Sequence, residues 1–288
     1  MTFNSENLSI VFDLGTTEIK GAVMKNDGTL VQKVTQQNYT TVTDSNRHEQ
    51  DAIFWWKAIC SVSNELCESH KIHSVIVTGQ MQNLLLLNTK GSPLQEVILY
   101  SDQRSIEESE WLLQNSCYLD LVAKTGNEQG PTSLLAKLLW IKKHQPEIFS
   151  KTDCLLPGAS DYVVFRMTGE KATDTTTAST TGLMELVERK WIDEALFNKM
   201  GLQGVQTLLP KLFDGGAKIG ELQKKAATDL GIPAGLPVFL GPGDAGSATI
   251  GAGCGVPGKA YAYIGTSGWV AFSEKQPADP TTGVITLS

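Results

Sequence analysis

The sequence predicts an α/β fold in which helices flank a mixed central sheet. Three observations predict it: three strand-like runs crowd the first 35 residues, helical and strand patterns alternate after residue 51, and a strand, Gly-Thr turn, strand unit recurs near residue 265. At 288 residues, one large domain or one and a fraction is expected, and 41% hydrophobic with 19% charged residues is enough to bury a sizeable core. The formal charge of −7 argues against an extended nucleic-acid surface, because affinity for that polyanion comes from Lys and Arg. The five cysteines are scattered and lack CxxC spacing, which disfavours both a disulfide framework and a zinc cluster. No basic segment precedes an apolar stretch at the start, and no run approaches spanning length. The expectation is a cytoplasmic protein with a small-molecule partner, no membrane contact and no nucleic acid.

Residues 8–12 and 19–24 read as two strands of a hairpin whose turn is Asp13-Leu14-Gly15-Thr16-Thr17. Gly15 permits a backbone closed to other residues, so that amide N–H groups and the Thr16 and Thr17 hydroxyls can converge on a phosphate. Asp13 would repel that phosphate unless a cation stood between them, so the turn predicts Mg²⁺ as well. A polar hairpin turn without a ligand is the alternative. Residues 30–35 form a third strand after the turn Asn26-Asp27-Gly28, and Asp51 begins a helix with Trp55, Ile59, Val62 and Leu66 on one face. The two tryptophans at 55 and 56 are expected in the core.

The strand at residues 74–78 ends in Gly79-Gln80-Met81-Gln82-Asn83, where Gln80 and Gln82 are either hydroxyl binders or a polar kink before the strand at 84–87. Asp102 and Arg104 stand two residues apart, as a polyol-binding pair or as a surface salt bridge. Ser105 and Ser133 are placed to cap helices carrying Leu112 and Leu138. Residues 173–181, rich in Thr and Ser, read as an ordered polar loop, and amphipathic helices follow at 191–200 and 221–230, the latter stopped by Gly231 and Pro233.

From residue 236 small residues dominate. A strand at 237–240 enters Gly241-Pro242-Gly243-Asp244-Ala245-Gly246, and a small-residue helix continues to 252. The spacing Gly241, Gly243, Gly246 matches a dinucleotide fingerprint, but the acidic residue that such a unit needs about 20 positions on is missing. Asp244 at a helix start is either an N-cap or, kept ionised by the helix dipole, a base able to accept a proton from an attacking alcohol. No GxxxxGK[ST] is present, so a P-loop is excluded. The recurrent turn Gly265-Thr266-Ser267-Gly268 suggests a second domain from residue 237, which divides the chain into 1–236 and 237–288.

Taken together these residues resemble the FGGY family of carbohydrate kinases, in the actin, hexokinase and Hsp70 superfamily with its ribonuclease H-like fold. The turn at Asp13 looks like the first phosphate loop, with Lys20 as its basic residue. Residues 79–82 look like a sugar-binding GQMH stretch and residues 100–104 like WxDxR. Gly243-Asp244 looks like the segment with the catalytic Asp, and Gly265-Thr266 like the second phosphate loop. The resemblance implies ATP and Mg²⁺ as cofactors and phosphorylation of a sugar hydroxyl. In it Asp244 is the general base and Asp13 the metal ligand. Gly15, Thr16, Thr17, Lys20, Gly265 and Thr266 sit on the phosphates, and Gln80, Met81, Gln82, Asp102 and Arg104 on the sugar. A homodimer is one expected assembly. Gln82 and Asn83 replace His-Gly, Tyr100 replaces Trp and Ala245 replaces Asn, so D-xylulose, a related ketose or a sugar acid such as gluconate all remain candidates. Family members continue through a second domain with the adenosine pocket, so a non-catalytic sugar-binding module is the alternative for this chain.

Overall fold

A computed structural model describes residues 7–44, 46–264 and 268–288. Six strands make its central sheet: β1 (Leu8–Leu14), β2 (Glu18–Lys25), β3 (Leu30–Gln37), β4 (Ile72–Gly79), β5 (Ala217–Glu221) and β6 (Pro237–Leu240). They lie in the order β5-β6-β4-β1-β2-β3. The first three form the expected antiparallel meander, with Asp13 opposite Lys20. By contrast β4 runs parallel to both β1 and β6, and β5 closes the edge antiparallel to β6. The sheet is therefore mixed, as expected, and its three parallel strands are central.

The principal helices are α1 (Ala52–Cys67), α2 (Leu134–His144), α3 (Ala159–Thr168), α4 (Lys224–Leu230) and α5 (Asp244–Gly251). Asp51 starts α1 by accepting the Ile53 amide at 2.7 Å, which satisfies an otherwise orphaned donor. Trp55, Ile59, Val62 and Leu66 are all buried, so the spacing read from the sequence marks the core face. That face presses on β2 so closely that a Cβ on Gly21 would lie 2.3 Å from Val62; a larger residue there would force the helix off the sheet. Residues from α3 and α4 complete this core with Ile10, Phe12, Val75 and Val238. A second core is helical: Leu135, Leu138 and Ile141 of α2 pack with Leu84, Leu112, Leu121 and Phe197.

Several local readings are corrected. Residues 173–181 hold the end of a strand (Ala172–Asp174) and a buried helix (Thr175–Ser179), because Asp174 caps that helix through the Thr177 amide. Ser105 and Ser133 make no side-chain cap: the Ser105 hydroxyl donates to the Pro131 carbonyl, and that of Ser133 accepts the Gly130 amide. The helix expected at 191–200 spans Glu194–Lys199, since Asp193 caps it and Lys190–Trp191 pairs in a hairpin with Met184–Glu185. Glu221 pairs with Pro237 in the sheet, so the helix that follows starts only at Lys224.

The division expected at residue 237 falls between β5 and β6, adjacent strands of one sheet, and Leu222, Val238 and Leu240 share one core. Beyond α5, β7 (Ala260–Ile264) and β8 (Gly268–Phe272) form the expected hairpin, with Tyr263 stacked on Trp269 at 4.2 Å. Ile264, Val270 and Phe272 are exposed on it. Gly265 and Thr266 lie outside the described residues.

Candidate active site

Parallel strands carry their following loops to one edge of a sheet, and crevices at that edge are the usual ligand sites of α/β folds. Here β1, β4 and β6 end side by side, with Leu14 in register with Gly79 and Leu240 with Val77. Their loops are Gly15 to Thr17, Gln80 to Asn83 and Gly241 to Gly243. The three loops are packed without spare volume: a Cβ on Gly79 would sit 2.8 Å from that of Leu14, and one on Gly243 would overlap Met81 Sδ at 2.1 Å. Glycine at 243 is thus what lets the third loop close against the second.

The first loop is braced from below. The Gly15 amide donates to Glu18 O at 3.0 Å, which removes Gly15 from the donors expected to face a phosphate. The carbonyls of Gly15, Thr16 and Thr17 accept from Asn38, Gln50 and Gln37 side chains. The Thr16 hydroxyl spans the crevice edge, between Gln80 Oε1 at 3.2 Å and the Tyr100 hydroxyl at 3.4 Å. Asp13, in register with Thr78 of β4, is half-buried; loss of water raises its carboxyl although Lys20, at 3.9 Å, and Lys33 oppose the shift. Lys20 also approaches Glu18 at 3.8 Å.

Asp244 is the first residue of α5, and Gly243 occupies the N-cap instead. Its carboxylate accepts the Ala245 amide at 2.8 Å. The residue is exposed to solvent, yet protein crowds its carboxyl. That loss of water, reinforced by the negative charges of Asp13 and Asp174, raises it to about 6. The helix N-terminus does not outweigh these effects, though the group is still ionised at neutral pH. Asp174, which sequence reasoning did not single out, is fully buried and sets this loop: it accepts the Gly243 amide at 3.3 Å and the Thr177 hydroxyl at 2.5 Å. Burial raises its carboxyl, and the buried Asp161 beside it stands well above the usual carboxylate range. An Asp directly before a Thr run was the available signal.

Three of the residues expected on a sugar point inward. Gln80 is buried, donates to Gln50 Oε1 at 2.8 Å and accepts from Thr16, so it braces the first loop. Asp102 is fully buried and binds Arg104 twice, at 2.9 and 2.7 Å, while accepting the His48 amide. Arg104 continues to Glu49 at 2.7 Å and lies over the Trp140 ring. Burial favours a neutral Asp102, but the guanidinium and the two amides win and hold the carboxyl below its usual range. The pair is neither a surface bridge nor a free polyol clamp. Met81 is buried against Gly243, and Gln82 adopts a positive φ of 60°, from which its amide donates to Thr180 O at 3.0 Å. Tyr100 is exposed, as is Gln103, while Leu99 and Asp102 of the same segment are buried. Lys137, also missed, is fully buried beneath that segment.

Among the described residues no cluster of three or more metal-ligating His, Cys, Asp or Glu side chains occurs. Among the same described residues, no helix is long and apolar enough to cross a membrane. Residues 8–251 match the model of the N-terminal domain of the FGGY family of carbohydrate kinases. The xylulose kinase of Escherichia coli (strain K12) is 32% identical over 284 residues, covering 96% of this chain and 56% of that protein. Among solved structures, xylulose kinase from Rhodospirillum rubrum superimposes with a TM-score of 0.88 at 25% identity, covering 94% of this chain and 57% of its own. Gluconate kinase from Lactobacillus acidophilus gives 0.82 at 26%, covering 92% and 54%. The chain thus spans a little over half the length of the relatives it matches. The ends of three parallel strands, where Asp13 acts electrostatically on Asp244, lie within the matched residues, and the chain belongs to the FGGY family of carbohydrate kinases.

Proposed function

We propose that the chain is the sugar-binding part of an ATP-dependent kinase that phosphorylates a hydroxyl of D-xylulose or of a related ketose or sugar acid. The observation that carries this reading is that Asp13, Thr16 and Asp244 lie at the same end of the parallel strands, where burial, with the charge of Asp13 adding to it, raises the Asp244 carboxyl. Asp244 accepts the proton of the attacking hydroxyl, and its pKa of about 6 leaves it ionised yet basic enough at neutral pH. The Thr16 and Thr17 amides and hydroxyls, with Lys20 behind them, receive phosphate oxygens; Gly15 shapes that turn. Gly265 and Thr266 are the second set of residues that the family resemblance assigns to the phosphates. Phosphoryl transfer depends mainly on positioning and charge neutralisation, which such loops supply.

Two carboxylates near a threonine hydroxyl are hard oxygen donors, and burial raises both, with Lys20 and Lys33 opposing the shift at Asp13. That donor set fits magnesium, which binds through one or two carboxylates and otherwise through water and phosphate. Asp13 would hold it, and when bound it neutralises charge on the phosphates. The sugar faces Met81, Gln82 and Tyr100. We place the division between domains after α5, because β5, β6 and the preceding strands share a sheet and a core.

The test is ³¹P NMR of the products formed from D-xylulose and gluconate with ATP and magnesium, in a polypeptide carrying both halves. A sugar phosphate from at least one acceptor is expected. ATP hydrolysis without a phosphorylated acceptor, across a panel of ketoses and sugar acids, would overturn the reading.

A further inference from the structure

A lysine buried in an apolar helix needs a reason, because a methionine or leucine of similar volume usually serves stability better. Lys137 lies in α2, where residues 134–141 are all buried. Its Nζ donates to the Leu99 carbonyl at 2.6 Å. That carbonyl also accepts the Asp102 amide at 3.1 Å, so it is the pivot of the turn 99–102. The charged groups acting on Lys137 are Asp102, which attracts it, and Arg104, which repels it. One helical turn onward, Trp140 supports the Arg104 guanidinium at 5.2 Å. Above the turn, the Tyr100 amide donates to Asn83 Oδ1 at 3.2 Å, and the Tyr100 hydroxyl meets Thr16.

We infer that Lys137 is a positioning residue for the sugar subsite: from inside the helical core it fixes the Leu99 carbonyl and thereby sets where Tyr100 stands over Thr16. The inference rests on the sugar-kinase reading only for what Tyr100 touches; the positioning itself is a property of the chain alone. Lys137 keeps an amine in the core because no apolar side chain can hold that carbonyl.

The experiment compares wild type with Lys137→Met, and with Lys137→Gln as a second, still polar variant. Hydrogen–deuterium exchange of the peptide covering residues 97–104 reports the positioning, and calorimetric titration of D-xylulose reports its consequence. In Lys137→Met exchange in that peptide rises about tenfold or more while α1 and β4 stay protected, since the buried hydrogen bond to the Leu99 carbonyl is lost. Affinity for D-xylulose falls about tenfold or more, because a small misplacement of a wall residue is costly. Lys137→Gln, one atom shorter, falls between. Unchanged exchange in residues 97–104 for both variants overturns the inference. Faster exchange with wild-type affinity overturns the link to the sugar. A wild-type chain that binds no ketose or sugar acid refutes the sugar reading instead, and the exchange arm then decides the role of Lys137 by itself.

Discussion

Two polar groups of residues meet at the same sheet edge and behave oppositely. In the segments 80–83 and 99–104, Gln80, Asp102 and Arg104 are spent on internal partners and show no free face. Near the ends of β1 and β6, Asp13 and Asp244 have only weak or local partners, and burial raises both carboxyls. Polar residue types mark the edge of a crevice; the count of internal partners separates its supports from its ligands.

That contrast breaks most readily at Asp244. Asp244→Asn keeps the size and removes the proposed base, so turnover of a polypeptide carrying both halves should fall about 10²- to 10⁴-fold, while thermal stability changes little. Steady-state kinetics beside a melting curve measures both; turnover within about tenfold of wild type would remove Asp244 from the chemistry. Arg104→Met is the complementary change. It strands the buried Asp102 carboxylate and costs about 3–5 kcal/mol in urea unfolding, as breaking a buried pair does. Were the loss confined to sugar affinity with stability intact, Arg104 would belong with the ligands after all.

The ionisation of Asp244 sharpens the comparison further. As the group sits at about 6, kcat/KM should fall tenfold per pH unit below that value, because only the ionised form accepts a proton. Burial is the largest cause of the raised value, and the charge of Asp174 adds to it. Asp174→Asn keeps an acceptor for the Gly243 amide but removes the charge, so the acid limb moves to lower pH. A limb that stays in place would mean that Asp174 acts on the loop through geometry alone.

Much of the fold was legible because periodicity reports burial. The face of α1 through Trp55, Ile59, Val62 and Leu66, the β1–β2 hairpin and the helix stop at Gly231 came through as read. The errors share a cause, which is partners distant in sequence. Ser105 looks like a cap until Pro131 supplies its acceptor 26 residues on. Asp102 and Arg104 look like a surface pair until His48 and Glu49 close over them from more than 50 residues upstream. For the site, position at a strand end was readable for Asp13, Gln80 and Asp244 alike. Which of them faces solvent was not, because the same strand end offers an inward and an outward direction and only the packed loops choose. Lys137 left a faint trace, a single charge inside the apolar run from Leu134 to Ile141, which reads as an exposed face on a helix that is in fact buried all round.

The smallest expected effect concerns that lysine and the global fold. Burial lowers its ammonium from 10.5 to about 7, with Asp102 opposing and Arg104 assisting the shift. Between those two values the unfolded chain binds more protons than the folded one, so this residue's contribution to stability improves as pH rises from 7 to 10.5 and is at its worst at pH 7 and below. Lys137→Met removes the penalty along with the bond to Leu99, and the two nearly offset, leaving the variant more stable by about 1 kcal/mol at pH 7. The advantage should shrink, and then reverse, as urea unfolding is repeated toward pH 10. A variant less stable than wild type at pH 7, by an amount that does not vary with pH, would mean that the ammonium stays charged in the core and is held there by Asp102. A gain in stability accompanied by a looser 97–104 segment would instead place Lys137 with the residues kept for the crevice at some expense to the fold.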